Sequence, residues 1–117
     1  MIDYKPTLVT NLSTLGLPVY YELFVDSSTS APCITYMELD NRGISNLEVT
    51  SIRYSNVSFR IKLWGDDLTQ ISPYRESLDE LMFSLGFTRT NYNELWYNQQ
   101  VCMICDYQGL AYEYGGI

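Results

Sequence analysis

Apolar and polar residues alternate most regularly between Val57 and Gly65. Successive side chains of a strand point to opposite sides, so one side of this stretch carries its four apolar residues, Val57, Phe59, Ile61 and Leu63. The other side carries Ser58, Arg60, Lys62 and Trp64. The alternation predicts a half-buried strand that ends at Gly65.

After Gly65 the apolar spacing changes to about 3.6 residues, the period of an amphipathic helix. The stripe consists of Leu68, Ile71, Tyr74, Leu78, Leu81, Met82 and Leu85. Asp67 with Gln70 resembles a capping box, but that start places Pro73 inside the helix, where it removes a hydrogen bond. Ser72 as cap avoids this, so we predict a helix over Pro73–Leu85, packed on the apolar side of the preceding strand and ended by Gly86.

The first part of the chain predicts a short helix and two strands. Leu8, Val9, Leu12 and Leu15 give the helix Pro6–Leu15 an apolar side, and Gly16 suits its end. Aromatic and β-branched residues predict strands over Val19–Asp26 and Cys33–Leu39. Asp40–Gly43 is typical of a tight turn, because Asn and Gly tolerate positive φ.

A long β-hairpin is predicted over Leu47–Trp64, with Ser55-Asn56 as its two-residue connection. Beyond the main helix, Phe87–Asn93 is expected to be extended and Asn93-Glu94 to turn, and the segment Leu95–Tyr97 that follows is short and aromatic. Val101–Tyr107 is apolar on both sides, which predicts a strand inside a sheet that is covered on both faces.

The fold class that follows is α+β. We expect residues 1–117 to form one small domain, since a second core would not fit in 117 residues. Its sheet is expected to be mixed or mainly antiparallel, with a long β-hairpin and with two helices packed on it.

Charge and composition exclude several function classes. The net charge is −7, and the seven Lys and Arg residues are spread singly, whereas a protein that grips phosphates needs clustered cations. There is no histidine, which removes the usual general base and the commonest zinc ligand. Eleven tyrosines favour subunit contacts, because tyrosine combines a large contact area with a polar tip.

Candidate chemistry is sparse. Cys102 and Cys105 are spaced like a redox or metal pair, but residues three apart in a strand face opposite sides, so we interpret them as core residues. Asp66-Asp67 is interpreted as a turn and cap and not as a cation site. With no nucleophile beside a base and no phosphate loop, the sequence predicts neither an enzyme nor a bound metal or cofactor.

The expected compartment is a reducing cytosol. Residues 1–5 lead into no apolar run typical of a signal peptide, and no stretch reaches the roughly 18 apolar residues of a membrane span. An odd number of cysteines, three, favours free thiols over a disulfide framework.

The order of elements and several segments resemble the tail terminator (tail completion) proteins of long-tailed bacteriophages. The segments are Leu17 to Tyr21 after a short helix, Ala31 to Tyr36, Ile61 to Trp64 with acidic residues following, and Tyr92 to Tyr97 followed by Val101 to Tyr107. The likeness spans most of the chain as element order and loose pattern, and the family has no signature motif.

The resemblance implies a structural virion protein located at the head-tail junction and assembled in the host cytoplasm. Proteins of this family form a homo-oligomeric ring, a hexamer, that caps the tail tube, ends its polymerisation and offers a surface to the head connector protein. The implied partners are therefore further copies of the chain, the tail tube protein and the head connector, while DNA passes through the bore without specific binding.

Ring closure by head-to-tail contacts requires two different patches on each subunit. The predicted subunit interface is the hairpin flank and the strand's polar side, with Asn41, Arg42, Tyr54, Asn56, Arg60, Lys62 and Trp64. Trp64 is the expected anchor, since a large aromatic beside two cations needs a cover. The alternative is that the helix Pro6–Leu15 covers this side.

Other functions stay open at this point. Related phage folds include head-tail connector and tail tube proteins, because fold and function are separable. A small non-viral α/β binding module is a further alternative.

Overall fold

The computed structural model describes residues 3–22, 32–44, 52–97 and 100–114. Helix α1 (Lys5–Leu12) continues into a 3-10 turn (Ser13–Leu15), and α2 is the long helix Leu68–Ser84. The strands are β1 (Val19–Tyr21), β2 (Cys33–Ile44), β3 (Ile52–Gly65), β4 (Phe87–Tyr97) and β5 (Gln100–Tyr114). They form one sheet in the order β1-β2-β3-β5-β4, in which β1 pairs with β2 in parallel and all other pairs are antiparallel. The predicted α+β domain with a mixed sheet is confirmed.

Both helices pack on the same face of the sheet, which we call the helix-bearing face. The apolar side of β3 lies there, and its residues Val57, Phe59, Ile61 and Leu63 are fully buried. They share a core with Leu8 and Leu12 of α1 and with Ile71, Leu78 and Met82 of α2. The prediction that the main helix covers the apolar side of this strand is therefore confirmed. Neither helix in the described part of the chain has the length and apolar composition of a membrane span.

Strands β2 and β3 are long antiparallel neighbours, and the predicted connection at Ser55-Asn56 is wrong. Ser55 and Asn56 are in the middle of β3 and pair with Gly43 and Arg42 of β2. The predicted turn Asp40–Gly43 is likewise wrong, because these residues continue β2. Since β3 lies between β2 and β5, ladder pairing on both of its sides outweighs the turn preference of Asn and Gly. An irregularity between Glu38 and Asp40 absorbs the change of register.

Residues 23–26 of the predicted first strand and residues 47–51 of the predicted hairpin lie outside the described residues.

Helix α2 begins five residues earlier than predicted. The Asp67 carboxylate accepts a hydrogen bond from the Gln70 backbone N–H at 2.8 Å, and the Gln70 side-chain oxygen accepts one from the Asp66 N–H at 2.7 Å. Pro73 consequently lies inside the helix. The reciprocal caps and the burial of Ile71 outweigh the one backbone hydrogen bond that Pro73 removes.

The C-terminal strands are longer than predicted. Strand β4 runs through the expected turn at Asn93-Glu94, because β5 pairs with it from Phe87 to Tyr97. Strand β5 lies inside the sheet, as predicted, between β3 and β4. The predicted cover on its second face is not supplied by any helix among the described residues.

Gly109 of β5 lies where a side chain has no room. It pairs with Phe87, and a Cβ atom at this position would be 2.7 Å from a Phe87 ring carbon and 2.8 Å from the Gly86 carbonyl oxygen. We expect Gly109→Ala to lower the free energy of unfolding by about 1–3 kcal/mol, the range for overpacking a core. Urea unfolding measures this, with the exposed neighbour substitution Gln108→Ala as the control; equal losses in both variants would contradict the prediction.

Candidate functional site

The face of the sheet opposite the helices, which we call the open face, carries the polar side of β3. Residues directly opposite each other on neighbouring strands share a face. Trp64 lies between Cys33 of β2 and Cys102 of β5, and Leu95 of β4 follows Cys102. This row of four side chains forms the apolar end of the open face.

Trp64 is half-buried and held in place by its own chain. Its indole N–H donates to the Thr35 hydroxyl at 3.0 Å, and Thr35 is itself buried. The alternative that helix Pro6–Leu15 covers Trp64 is wrong. Helix α1 packs on the helix-bearing face, where the ring of Tyr4, at the start of the helix, lies 5.3 Å from that of Phe87. The indole ring thus lies on a face that no described helix covers.

Two ion pairs lie beside Trp64. The Lys62 ammonium bonds to the Glu22 carboxylate and lies 5.9 Å from the centroid of the Trp64 ring. The Arg60 guanidinium donates to both oxygens of Asp106, at 2.8 and 3.1 Å. Hydrogen bonding to Asp106 is the main cause that raises the pKa of Arg60. Both cations are therefore neutralised by carboxylates of the same chain and are poorly placed to bind phosphates.

The remaining predicted interface residues are spread along β2 and β3. Arg42 and Asn56 pair with each other farther along the open face, and Arg42 also bonds to Asp40 at 2.8 Å. Asn41 pairs with Val57 and so belongs to the helix-bearing face. Tyr54 pairs with Ile44 and Tyr112 in the ladder. The structure therefore brings together Arg60, Lys62 and Trp64, places Arg42 and Asn56 along the same face, and separates Asn41 from them.

The sequence interpretation missed the carboxylates that complete this face. Asp106 is the one acidic residue in the apolar run of β5, and it follows Ile104 by two residues and Cys102 by four. This spacing already assigns Asp106 to the side of Cys102. Pairing it with Arg60 needs the register between β3 and β5, which no local pattern supplies. Glu22 was missed for the same reason, because its partner Lys62 lies forty residues away.

Cys102 and Cys105 lie on opposite faces of β5. Cys105 is opposite Ile61 in the core, whereas Cys102 is opposite Trp64 on the open face. All three cysteines are free thiols and buried. Within the described ranges, no three Cys, Asp or Glu side chains lie close enough together to hold a metal ion.

Burial raises the pKa of all three thiols, to about 12 for Cys102 and about 11 for Cys105. Because the thiolate is the nucleophile, we expect almost no reaction with iodoacetamide at pH 8 in the folded chain and full reaction in denaturant. Mass spectrometry of the alkylated protein counts the modified thiols. Rapid labelling of Cys102 in the folded chain would show that solvent reaches the open face beside Trp64.

The open face is suited to contact with another protein, since it presents an aromatic ring, aliphatic side chains and charges that are already paired. Exposed hydrophobic residues continue it, with Leu95 on β4 and Leu110 on β5. Such a surface is typical of protein–protein contact. Compared with known proteins, the chain matches no protein-family model and has no significant similarity to any curated protein.

Proposed function

We propose that this chain is the structural subunit of a ring that caps a phage tail tube, as a tail terminator does. The observation that carries the proposal is the open face, where half-buried Trp64 lies in an apolar row with no helix over it in the described part of the chain. An antiparallel sheet can leave a polar face to water, so a large aromatic side chain such as Trp64 on a face without a helical layer favours cover by another molecule.

Trp64 has the properties of an interface anchor. Tryptophan and arginine are enriched among the residues that dominate binding energy, in pockets from which water is excluded. The indole N–H is already bonded to Thr35, so covering the ring leaves no unpaired donor. Arg60 and Lys62 are likewise paired, which lowers the penalty for removing water from them.

In the proposed ring, the open face forms one side of each contact between neighbouring subunits. Contacts that close a ring are head-to-tail, so the patch that meets the open face is a different patch of the next copy. The tail tube protein and the head connector protein bind the two ends of such a ring, which locates the protein in the virion at the head-tail junction. A net charge of −7 suits a bore through which DNA passes without binding. This function requires no catalysis and no cofactor.

Replacing Trp64 with alanine tests the proposal. We expect the wild-type protein to form a ring and the Trp64→Ala protein to remain folded without forming the ring, because the anchor of the ring contact is lost. Light scattering measures the mass, and circular dichroism and thermal unfolding report the fold. Phe83→Ala is the matched control: Phe83 is 79% exposed on the outer side of α2, and its loss should leave the ring intact.

A second variant separates loss of contact from loss of folding. Leu110 is exposed on the open face, so Leu110→Lys adds a charge there without removing a core contact. It is expected to weaken the ring as well. A wild-type chain that stays single at high concentration would overturn the proposal, and long tubes in negative-stain images would assign the tail tube role instead.

A further inference from the structure

Strand β4 is an edge of the sheet. The strand order places it last, and among the described residues only β5 pairs with it. It is eleven residues long, Phe87–Tyr97. An edge strand presents a row of backbone donors and acceptors to any extended segment that approaches it.

This edge has few of the features that prevent pairing with another chain. Lys and Pro are absent from Phe87–Tyr97, and its only charged residues are Arg89 and Glu94. Leu95 and Trp96 are 49% and 66% exposed, and they lie on opposite faces of the strand. Its one irregularity is a bulge at Thr90, between Arg89 and Asn91. A long edge with exposed apolar side chains on both faces is a template for strand addition.

We propose that β4 pairs antiparallel with β4 of a second copy, about a two-fold axis at Tyr92. Because the bulge takes Thr90 out of the ladder, Arg89 lies two ladder positions before Tyr92 and Glu94 two positions after it. Arg89 pairs with Tyr107 and Glu94 with Met103, and both of these core residues lie on the helix-bearing face. An axis at Tyr92 therefore puts Arg89 of each copy directly opposite Glu94 of the other, on the same face.

Charge favours an axis at Tyr92 over an axis at Glu94, two ladder positions away. An axis at Glu94 would put the two glutamates opposite each other, and like charges in directly opposed positions are destabilising. The axis at Tyr92 gives two opposite-charge pairs. It also brings Leu95 opposite Thr88 of the other copy, both on the open face. Trp96 comes opposite Phe87 of the other copy, both on the helix-bearing face. The strand is thus complementary to itself.

The free chain already holds these side chains in place. The Arg89 guanidinium donates to Asp79 at 2.9 Å and lies 5.3 Å from the centroid of the Tyr92 ring. The Tyr92 hydroxyl donates to Glu94 at 2.6 Å. The Glu94 backbone N–H donates to the Asn93 side-chain oxygen at 2.9 Å, a local bond that a partner strand can replace. Little side-chain freedom then remains to be lost on pairing.

This contact goes beyond the proposed ring and uses another surface. Head-to-tail contacts alone close a ring, and a two-fold contact added to them joins two rings end to end, so this paired form precedes docking of the tail tube or the head connector at that end. In a chain that has lost the ring contact, the two-fold contact alone gives a dimer. The two proposals can consequently fail separately.

A single cysteine on the axis provides the sharpest experiment. Side chains directly opposite across antiparallel strands have Cβ atoms about 4.5–5.5 Å apart, so Tyr92→Cys in two copies meets itself. Thr88→Cys is the control: it lies on the same strand, but six ladder positions, or about 20 Å, separate the two copies of it. We expect a disulfide-linked dimer on a non-reducing gel for Tyr92→Cys alone. Equal cross-linking of both variants, or none with Tyr92→Cys, would overturn the proposal.

Charge reversal is the independent measurement. In the Trp64→Ala background, Glu94→Lys puts Lys opposite Arg89 at two places, so we expect the dissociation constant of the dimer to rise at least about fivefold. Glu80→Lys makes the same change of charge on α2 and should leave the constant unchanged. Sedimentation velocity measures both, with circular dichroism as the check of folding. A Glu94→Lys dimer as tight as its parent would contradict the pairing.

Discussion

Replacing Phe59 with alanine is expected to lower the free energy of unfolding by about 3–5 kcal/mol, the range for truncating a buried phenylalanine. Phe59 is 0% exposed at the centre of the helix-bearing face. Its ring lies 6.2 Å from that of Tyr4 and 6.0 Å from that of Phe87. It pairs with Glu38 on one side and Tyr107 on the other. The Phe59 side chain thus connects the start of α1 with four strands. Because its neighbours are held by several elements, they cannot relax far into the cavity that the alanine variant leaves.

Urea unfolding followed by tryptophan fluorescence measures this loss. Phe83→Ala is the matched control, since it makes the same truncation at a side chain that is 79% exposed. A change within about 0.5 kcal/mol is expected there. If both variants lost similar stability, Phe59 would not be the centre of the core.

The local patterns predicted the parts of the fold that depend on one element at a time. Strict alternation from Val57 to Leu63 identified the central strand, and the later period of 3.6 identified the helix that covers it. The predictions were wrong where a local turn preference competes with pairing to a neighbouring strand. Asn41 and Asn56 suit turns on their own, but within β2 and β3 each is paired with a residue of a neighbouring strand.

The helix start was mispredicted for a related reason. Pro73 is an unfavourable residue inside a helix, and judged alone it ends the pattern. The structure keeps it there because Ile71, one turn after the cap, is fully buried against the sheet. Burial of Ile71 therefore decided between two locally reasonable starts of the helix. That burial depends on the position of the sheet, which local sequence patterns do not predict.

The candidate site was predictable in composition but not in its pairing. Alternation alone put Arg60, Lys62 and Trp64 on one side of the strand. Their carboxylate partners are Glu22, just after β1, and Asp106 of β5, 40 and 46 residues away in sequence. Without the strand order, neither partner can be assigned. That no described helix lies over Trp64 was equally hidden, because it depends on which face α1 packs against.

Replacing Arg60 with alanine should lower the free energy of unfolding by about 3 kcal/mol, the lower end of the range for breaking a buried ion pair. The loss comes from Asp106, whose side chain is only 12% exposed and would lose both hydrogen bonds from the guanidinium. The low end applies because the Arg60 side chain is itself 37% exposed, so water compensates part of the loss.

Arg42→Ala provides the matched comparison, because Arg42 also pairs with an aspartate at 2.8 Å but is exposed. Its loss should remain below about 1 kcal/mol. The double variant Arg60→Ala with Asp106→Asn should recover much of the stability lost in Arg60→Ala, since no unpaired charge is then left under the open face. Equal losses for Arg60→Ala and Arg42→Ala in urea unfolding would show that water reaches Asp106 freely. The residues around Trp64 would then be hydrated, whereas the contact that the proposed ring requires excludes water.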